Sequence, residues 1–220
     1  MKMMRGVLGV AVLACLWVAG CAAGVPNGGG TVRGFLENGA APAPLKRAAL
    51  AGGDIRLSGP AGYCIDPETL RVGSDQSFAL LASCRILSGG ASGGMVPPVL
   101  ISVTVGALGS GGDVPEPQDL ATAASEPMIE GRKGGGLSLA LLGRGGDSMF
   151  DGGDARYWRG AFVQGGRLVS VALYVPQGSV ILEGRGPEML QALQAQVRAD
   201  SPKQAPVGAE AGLARSKVTQ

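Results

Sequence analysis

The 220-residue chain contains no histidine. This absence excludes the Ser-His-Asp and Cys-His nucleophilic systems, and it excludes most zinc sites. The sequence also offers no apposed pair of carboxylates in a recognisable catalytic pattern. We therefore assign no catalytic residue, no metal ligand and no cofactor.

Aromatic residues make up only 4% of the sequence and charged residues only 16%. The core must therefore consist mostly of Val, Leu, Ile and Ala. Glycine is abundant instead, with 39 residues, many of them in loops such as Gly89–Gly90 and Gly109–Gly112. The chain suits one folded domain of about 150 residues, which would bury roughly two-thirds of its unfolded surface.

The N-terminal apolar run is too short to span a membrane. Lys2 and Arg5 come first without any acid, and Gly6–Trp17 is almost wholly apolar. A transmembrane helix needs about 20 apolar residues. A charged segment followed by a short apolar one is the pattern of a secretory signal, so we expect the protein to be exported.

The signal ends in Val18-Ala19-Gly20-Cys21, which resembles the lipobox of bacterial lipoprotein precursors. The resemblance covers residues 1–21. It implies that the Cys21 thiol carries a diacylglycerol, that the chain is cut before Cys21, and that the new amino group is acylated. In enteric members an Asp after the cysteine retains the protein in the inner membrane. Ala22 at this position therefore implies the outer membrane, on its periplasmic side.

Two alternatives to this anchor remain open. Val12-Leu13-Ala14-Cys15 is a looser match, because bulky Leu13 stands where the family has a small residue. We interpret Cys15 as an apolar filler of the signal. Cys21 would otherwise be a chance cysteine after an ordinary signal.

The mature chain is formally neutral. Removing residues 1–20 takes away Lys2 and Arg5, which lowers the formal charge from +2 to zero. A neutral chain gives no reason to expect nucleic acid as a partner. The predicted partners are the membrane, through lipidated Cys21, and an envelope protein whose identity the sequence does not give.

Composition divides the chain into four parts. Residues 1–20 form the signal, and residues 21–51 form a lipidated flexible tether, because their Gly- and Pro-rich stretches have no apolar period. Residues 52–201 form a single domain. Residues 202–220 are polar and small, which predicts a disordered tail.

Local patterns predict strands and two helices in the domain. The predicted strands are residues 55–57, 63–65, 78–87, 99–105 and 137–142, followed by a hairpin over 157–175. The predicted helices are residues 116–124 and 187–199, each with a proline near its start. This order predicts an α+β fold, a mostly antiparallel sheet with a short middle helix and a C-terminal helix packed on it as an α/β sandwich. The order resembles the PsbP/Mog1-like sandwich family over residues 54–200, a family that includes small envelope lipoproteins.

The hairpin gives the clearest local signal. Gly165-Gly166 suits a two-residue turn, because glycine tolerates positive φ angles. Pairing across that turn places Gln164 opposite Arg167, Phe162 opposite Val169, Gly160 opposite Val171 and Trp158 opposite Leu173. One face of the hairpin is therefore apolar and predicts part of the core.

Cys64 and Cys84 are the cysteines left after the signal and the anchor. In an oxidising compartment such a pair predicts a disulfide. Their midpoint, Ser74, lies in a turn-prone stretch, so we expect them to lie directly opposite each other in an antiparallel pair. The alternative is two buried free thiols that act as small apolar residues.

Three acidic residues cluster in a glycine-rich loop. Asp147, Asp151 and Asp154 offer oxygens that suit Ca²⁺, but their spacing does not match an EF-hand loop. We interpret the stretch as a solvated loop and assign no metal to it.

Two other patterns have ordinary structural explanations. Gly184-Arg185-Gly186 resembles a phosphate-binding turn but lacks the third glycine, so we interpret it as a turn before a helix. Arg156-Tyr157-Trp158-Arg159 is basic and aromatic, as in nucleic-acid patches. We interpret it as a strand with an inward Trp.

The leading functional hypothesis is a membrane-anchored envelope lipoprotein that acts as a non-enzymatic binding or accessory module. The alternative is a cell-envelope hydrolase or transferase that uses acidic residues such as Asp66 or Asp151.

The lipid anchor can be tested at Cys21. Cys21→Ser should abolish labelling with a fatty-acid analogue and leave the protein soluble or uncleaved, because the acylated thiol is lost. Cys15→Ser serves as the control and should be labelled like the wild type. Labelling that survives in Cys21→Ser and disappears in Cys15→Ser would move the anchor to Cys15.

Overall fold

The computed structural model of the protein describes residues 42–203. Within this part of the chain the strands are β1 (Arg47–Leu50), β2 (Ile55–Ser58), β3 (Tyr63–Ile65), β4 (Ser77–Ser83), β5 (Leu100–Val105), β6 (Met128–Gly134), β7 (Leu137–Leu142), β8 (Tyr157–Gln164) and β9 (Arg167–Tyr174). The α-helices are α1 (Cys84–Leu87), α2 (Pro117–Ala124) and α3 (Gly186–Asp200). None of the helices in residues 42–203 has the length and apolar character to cross a membrane.

Seven strands form one antiparallel sheet in the order β3-β4-β5-β9-β8-β7-β6. A separate ribbon of β1 and β2 packs with α3 on one face of this sheet. Helix α2 packs on the opposite face, over β7 and β8. The predicted α+β fold, with a short middle helix and a C-terminal helix on a large antiparallel sheet, is confirmed.

The hairpin of β8 and β9 has the predicted register. Gln164 pairs with Arg167, and Trp158 pairs with Leu173. Gly165 and Gly166 in the turn have φ angles of 60° and 69°, which residues other than glycine rarely adopt. The face predicted to be apolar is buried in the main core. Its members on the two strands are Trp158, Phe162, Val169, Val171 and Leu173.

Trp158 connects this core to the start of α3. Its indole is fully buried, and Nε1 donates a hydrogen bond to the Leu182 carbonyl oxygen at 2.7 Å. A Cβ on Gly186 would lie only 2.8 Å from the indole Cδ1, so glycine lets α3 begin against the ring. The guanidinium carbon of Arg132, on the edge strand β6, lies 5.4 Å from the ring centroid, within cation–π range.

The opposite face of the hairpin forms a second, smaller core. Tyr157 and Tyr174 stack with ring centroids 5.1 Å apart. Leu120 and Ala121 of α2 cover Tyr157 and its neighbours. The predicted start of α2 is confirmed by its cap, since the Glu116 backbone N–H donates to Asp119 Oδ2 at 2.9 Å.

The strand predicted over residues 78–87 is shorter in the structure. The alternating burial of β4 ends at Ser83, and the next four residues form α1 instead. The Ser88 backbone N–H donates to the Cys84 carbonyl oxygen at 3.0 Å, which closes the turn of α1. An apolar run is compatible with both a strand and a helix, so the sequence pattern did not show where one ends.

Strand β6 has no counterpart among the predicted elements. All of its residues are exposed, and it pairs only with β7, at the edge of the sheet. Its charged residues, Glu130, Arg132 and Lys133, are typical of edge strands that avoid further pairing. Strand β6 is held by its backbone hydrogen bonds to β7. Because no side chain of it needs to be buried, its sequence shows no apolar period.

The folded domain begins before Gly52, where we expected it to start. Strand β1 lies in the predicted tether and pairs antiparallel with β2, and Leu50 is fully buried. Before it, the Leu45 backbone N–H donates to the Ile65 carbonyl oxygen at 2.9 Å. The predicted anchor, Cys21, and residues 204–220 of the predicted tail lie outside the described residues.

A buried arginine holds the turn between β1 and β2 against the hairpin. The Arg167 side chain is 6% exposed and binds Asp54 Oδ2 through Nη2 at 2.9 Å. Its Nη1 also donates to the carbonyl oxygens of Ser74 and Gly106. The guanidinium therefore binds three separate segments at once. These hydrogen bonds compensate for its removal from water.

The burial of Trp158 predicts a large effect on stability. Trp158→Ala should lower the free energy of unfolding by about 3–5 kcal/mol, because it creates a cavity. Trp158→Phe keeps a ring but leaves the Leu182 carbonyl without its donor, so it should cost about 1–3 kcal/mol. Urea denaturation measures both. A loss below about 1 kcal/mol in the alanine variant would contradict the packing, because large core truncations cost more.

Candidate functional site

The acidic loop does not gather its carboxylates into one site. Asp154 is buried and accepts hydrogen bonds from the Arg156 side chain through both carboxylate oxygens, each at 3.1 Å. These hydrogen bonds lower the pKa of Asp154. Asp147 and Asp151 are exposed. Among residues 42–203 there is no group of three potential metal ligands. Asp154 instead forms a structural ion pair with Arg156.

Asp66 also has a local structural role. Its Oδ1 accepts a hydrogen bond from the Glu68 backbone N–H at 2.9 Å, which caps the loop after β3. Neither Asp66 nor any acid of the loop 147–154 lines the groove between the loop 88–98 and α3.

The other two patterns singled out in the sequence occupy ordinary positions in the fold. Arg185 is exposed at the N-terminal end of α3, in a turn before the helix. Trp158 points into the core from β8, while Arg159 is half-buried on the other face. Neither arrangement brings together the groups that a phosphate or a nucleic acid would need.

Cys64 and Cys84 lie at disulfide-bonding distance, with Cα atoms 4.8 Å apart. They are not directly opposite each other as we expected, since Cys64 of β3 pairs with Ala82. The register is shifted because Cys84 lies beyond the end of β4, as the first residue of α1. Its backbone N–H donates to the Gly62 carbonyl oxygen at 2.9 Å, and the turn of α1 carries its sulfur back to Cys64.

Next to this cysteine pair lies a groove of about 290 Å³ between the loop 88–98 and α3. Its lining combines apolar side chains with one phenol and two opposite charges at the rim. The lining residues are Pro60, Ala61, Tyr63, Val96, Pro97, Ile181, Arg185, Glu188, Met189 and Ala192.

The first wall of the groove is the end of the loop 88–98. The Tyr63 hydroxyl donates a hydrogen bond to the Pro97 carbonyl oxygen at 2.8 Å. Gly62 has a φ of 85°, and a Cβ there would overlap Val96, so glycine allows the loop to lie against the strand. Earlier in the loop, a Cβ on Gly93 would lie 2.8 Å from Cys84 Cβ. The cysteine pair and this close packing therefore fix the position of the wall.

The second wall is the N-terminal half of α3 with the segment before it. Ile181 is buried, and the neighbouring Leu182 carbonyl binds the Trp158 indole. Met189 is partly buried against the main core, and Glu188 and Arg185 stand exposed at the rim. Packing of α3 on the sheet therefore determines the width of the groove.

Tyr63 is the polar side chain of the first wall, and it stays neutral. Burial raises the pKa of its phenol, and nearby Arg185 opposes this shift only in part. Since its hydroxyl is bound to Pro97, it shapes the wall and is not poised as a base. An apolar groove with an acid and a base at its rim suits the binding of an apolar group with a polar neighbour.

No pattern in the sequence indicates this groove. Its lining residues come from four segments between Pro60 and Ala192, and no motif links them. The only signal near it is the pair Cys64 and Cys84, which predicts that the segment next to Tyr63 is held to the segment that precedes the loop 88–98.

The cysteine pair predicts a measurable stabilisation. Mass spectrometry of the non-reduced, alkylated protein should show no alkylation of Cys64 or Cys84. The bridge would close a loop with a sequence separation of 20 residues, for which chain entropy predicts about 3 kcal/mol. Reduction should therefore lower the melting temperature by about 6–12 °C. The far-ultraviolet circular dichroism should stay unchanged, because β3 and β4 remain paired through their backbones. Alkylation of both thiols without reductant would show that there is no bridge.

No protein-family model matches the chain, and the comparisons with curated proteins and with solved structures gave no match either. The resemblance to the PsbP/Mog1-like family therefore stays a prediction that rests on element order.

Proposed function

We propose that the protein is a bacterial lipoprotein, anchored through Cys21 to the outer membrane on its periplasmic side. In this proposal the domain is a non-enzymatic binding module for an envelope protein. The signal and the lipobox sequence support the anchor. Cysteines at bonding distance support export, because disulfides persist mainly in oxidising compartments.

The groove between the loop 88–98 and α3 is the observation that carries the binding role. Its volume of about 290 Å³ lies just below the range for ligand pockets, which is about 300–1,000 Å³. Such a groove fits one or two apolar side chains of a partner. A carboxylate next to them would face the exposed guanidinium of Arg185, and a basic group would face Glu188.

The acidic residues give less support to an envelope hydrolase or transferase. A general acid at neutral pH needs a raised pKa, whereas the pKa of Asp154 is lowered by Arg156. Asp66 is engaged in its own loop, and Asp151 is exposed. We therefore favour binding without chemistry on the partner.

The binding role can be tested by filling the groove. A photoreactive amino acid replaces exposed Glu188 at the rim, and irradiation of living cells should give one discrete adduct with an envelope protein. Adding Ala192→Trp should reduce this adduct at least tenfold, because the indole occupies the space between the walls. Val180→Trp is the control, since Val180 is 82% exposed and does not line the groove.

The two tryptophan variants should melt within a few degrees of the wild type, which excludes unfolding as the cause. An adduct of equal yield in Ala192→Trp and Val180→Trp would contradict the groove as the binding site. Absence of any adduct at the rim would contradict it as well.

A further inference from the structure

Two large apolar side chains are exposed on the segment from α1 to the end of the loop 88–98. Met95 is 90% exposed and Ile86 is 62% exposed. Single exposed apolar residues are common on protein surfaces. Here, however, each lies two residues beyond one close contact, between Cys84 and Gly93, so they belong to two short segments that meet there.

The segment itself carries almost no charge, and the charged residues Arg185 and Glu188 line the adjacent groove together with Val96 and Pro97. Between Gln76 and Gly112 the only charged residue is Arg85, next to Ile86, and there is no acid. Arg85 is exposed. A segment with exposed apolar groups, one cation and no acid of its own costs little to desolvate and suits the boundary between headgroups and acyl chains of a bilayer.

The chain also reaches the domain at this place. Ala43 and Pro44 line a cleft of about 440 Å³ together with Leu87, Ser88 and the residues that follow. The described part of the chain begins at Pro42, one residue earlier. Cys21 lies 21 positions before Pro42, so even a fully extended chain would keep this end of the domain within about 75 Å of the lipid anchor.

The region is held rigidly enough to present its side chains together. Cys84, at the start of α1, lies at bonding distance from Cys64 of β3. Ser88 Oγ accepts a hydrogen bond from the Ser92 backbone N–H at 2.9 Å. The loop is therefore braced on itself and on the sheet.

We propose that this end of the domain docks on the bilayer surface, with Ile86 and Met95 inserted below the headgroups and Arg85 at the level of the phosphates. The inference rests on the proposed lipid anchor at Cys21, which keeps the domain at the membrane. It adds an orientation that the anchor alone does not impose. Because Val96 and Pro97 follow Met95, the groove would open close to the membrane surface.

The fold provides a matched control at the opposite end of the sheet. Strand β4 ends at Ser83 next to α1, and antiparallel β5 ends at Val105, far from α1. Leu108 follows in the next loop, where it is 65% exposed. It has the exposure and apolar character of Ile86, yet it should face away from the bilayer.

The test uses the mature protein purified from bacterial membranes and reconstituted in vesicles with and without brominated phospholipid, which quenches indole fluorescence on contact. Met95→Trp should lose most of its added emission in the brominated vesicles. Leu108→Trp should lose none. Trp158 gives a constant background, since it is fully buried and the other tryptophan, Trp17, lies in the signal.

The outcomes separate this inference from the proposed function. Quenching in neither variant, or equal quenching in both, would overturn the docked orientation. If mass spectrometry shows the acyl chains on Cys21 in that experiment, the proposed anchor still stands. If the protein carries no acyl chain and neither variant is quenched, both proposals fail.

Discussion

The indole of Trp158 joins parts of the molecule that lie far apart in the sequence. Its ring belongs to the inward face of β8, its Nε1 donates to the Leu182 carbonyl, and the Arg132 guanidinium of the edge strand lies over the ring. A tryptophan buries about 150–250 Å². In a chain with only 4% aromatic residues, one ring therefore contributes an unusually large share of the contact between sheet and helix. The start of α3, and with it one wall of the groove, depends on this contact.

The parts of the fold that could be predicted from the sequence are those in which local signals agree. In the hairpin of β8 and β9, the Gly165-Gly166 turn determines the register, and the alternation of apolar residues determines the face. Helix α3 has a proline near its start and apolar residues spaced by three and four, and it forms almost over the predicted range. Both elements bury a continuous apolar face, which is what a sequence pattern reports.

The parts that could not be predicted depend on contacts between distant residues or on the backbone alone. Strand β6 buries none of its side chains, so its pairing with β7 leaves no apolar pattern. Helix α1 is a single turn within an apolar run, and it moves Cys84 out of the register that we expected for the cysteine pair. The groove is harder still, because its walls meet only after the sheet, the loop 88–98 and α3 have packed.

The loop 88–98 has two sides with different proposed roles, and the cysteine pair constrains both. Val96 and Pro97 form a wall of the groove, while Met95 next to them is exposed. The loop contains Gly89, Gly90, Gly93 and Gly94. Glycine loses more conformational freedom on folding than any other residue, so ordering such a loop carries a high entropic cost. A crosslink from α1 to β3 offsets part of that cost, because it restricts the unfolded chain before the loop is ordered. Oxidation of Cys64 and Cys84 after the proposed export would therefore favour assembly of the groove wall and of the membrane-facing region together. In a reducing compartment the same loop would have to be ordered by its noncovalent contacts, such as those of Tyr63, Gly93 and Ser88. The proposed export signal would place the domain in the periplasm, which is oxidising. The proposed binding surface would therefore be most stable in the compartment where the domain is expected to act.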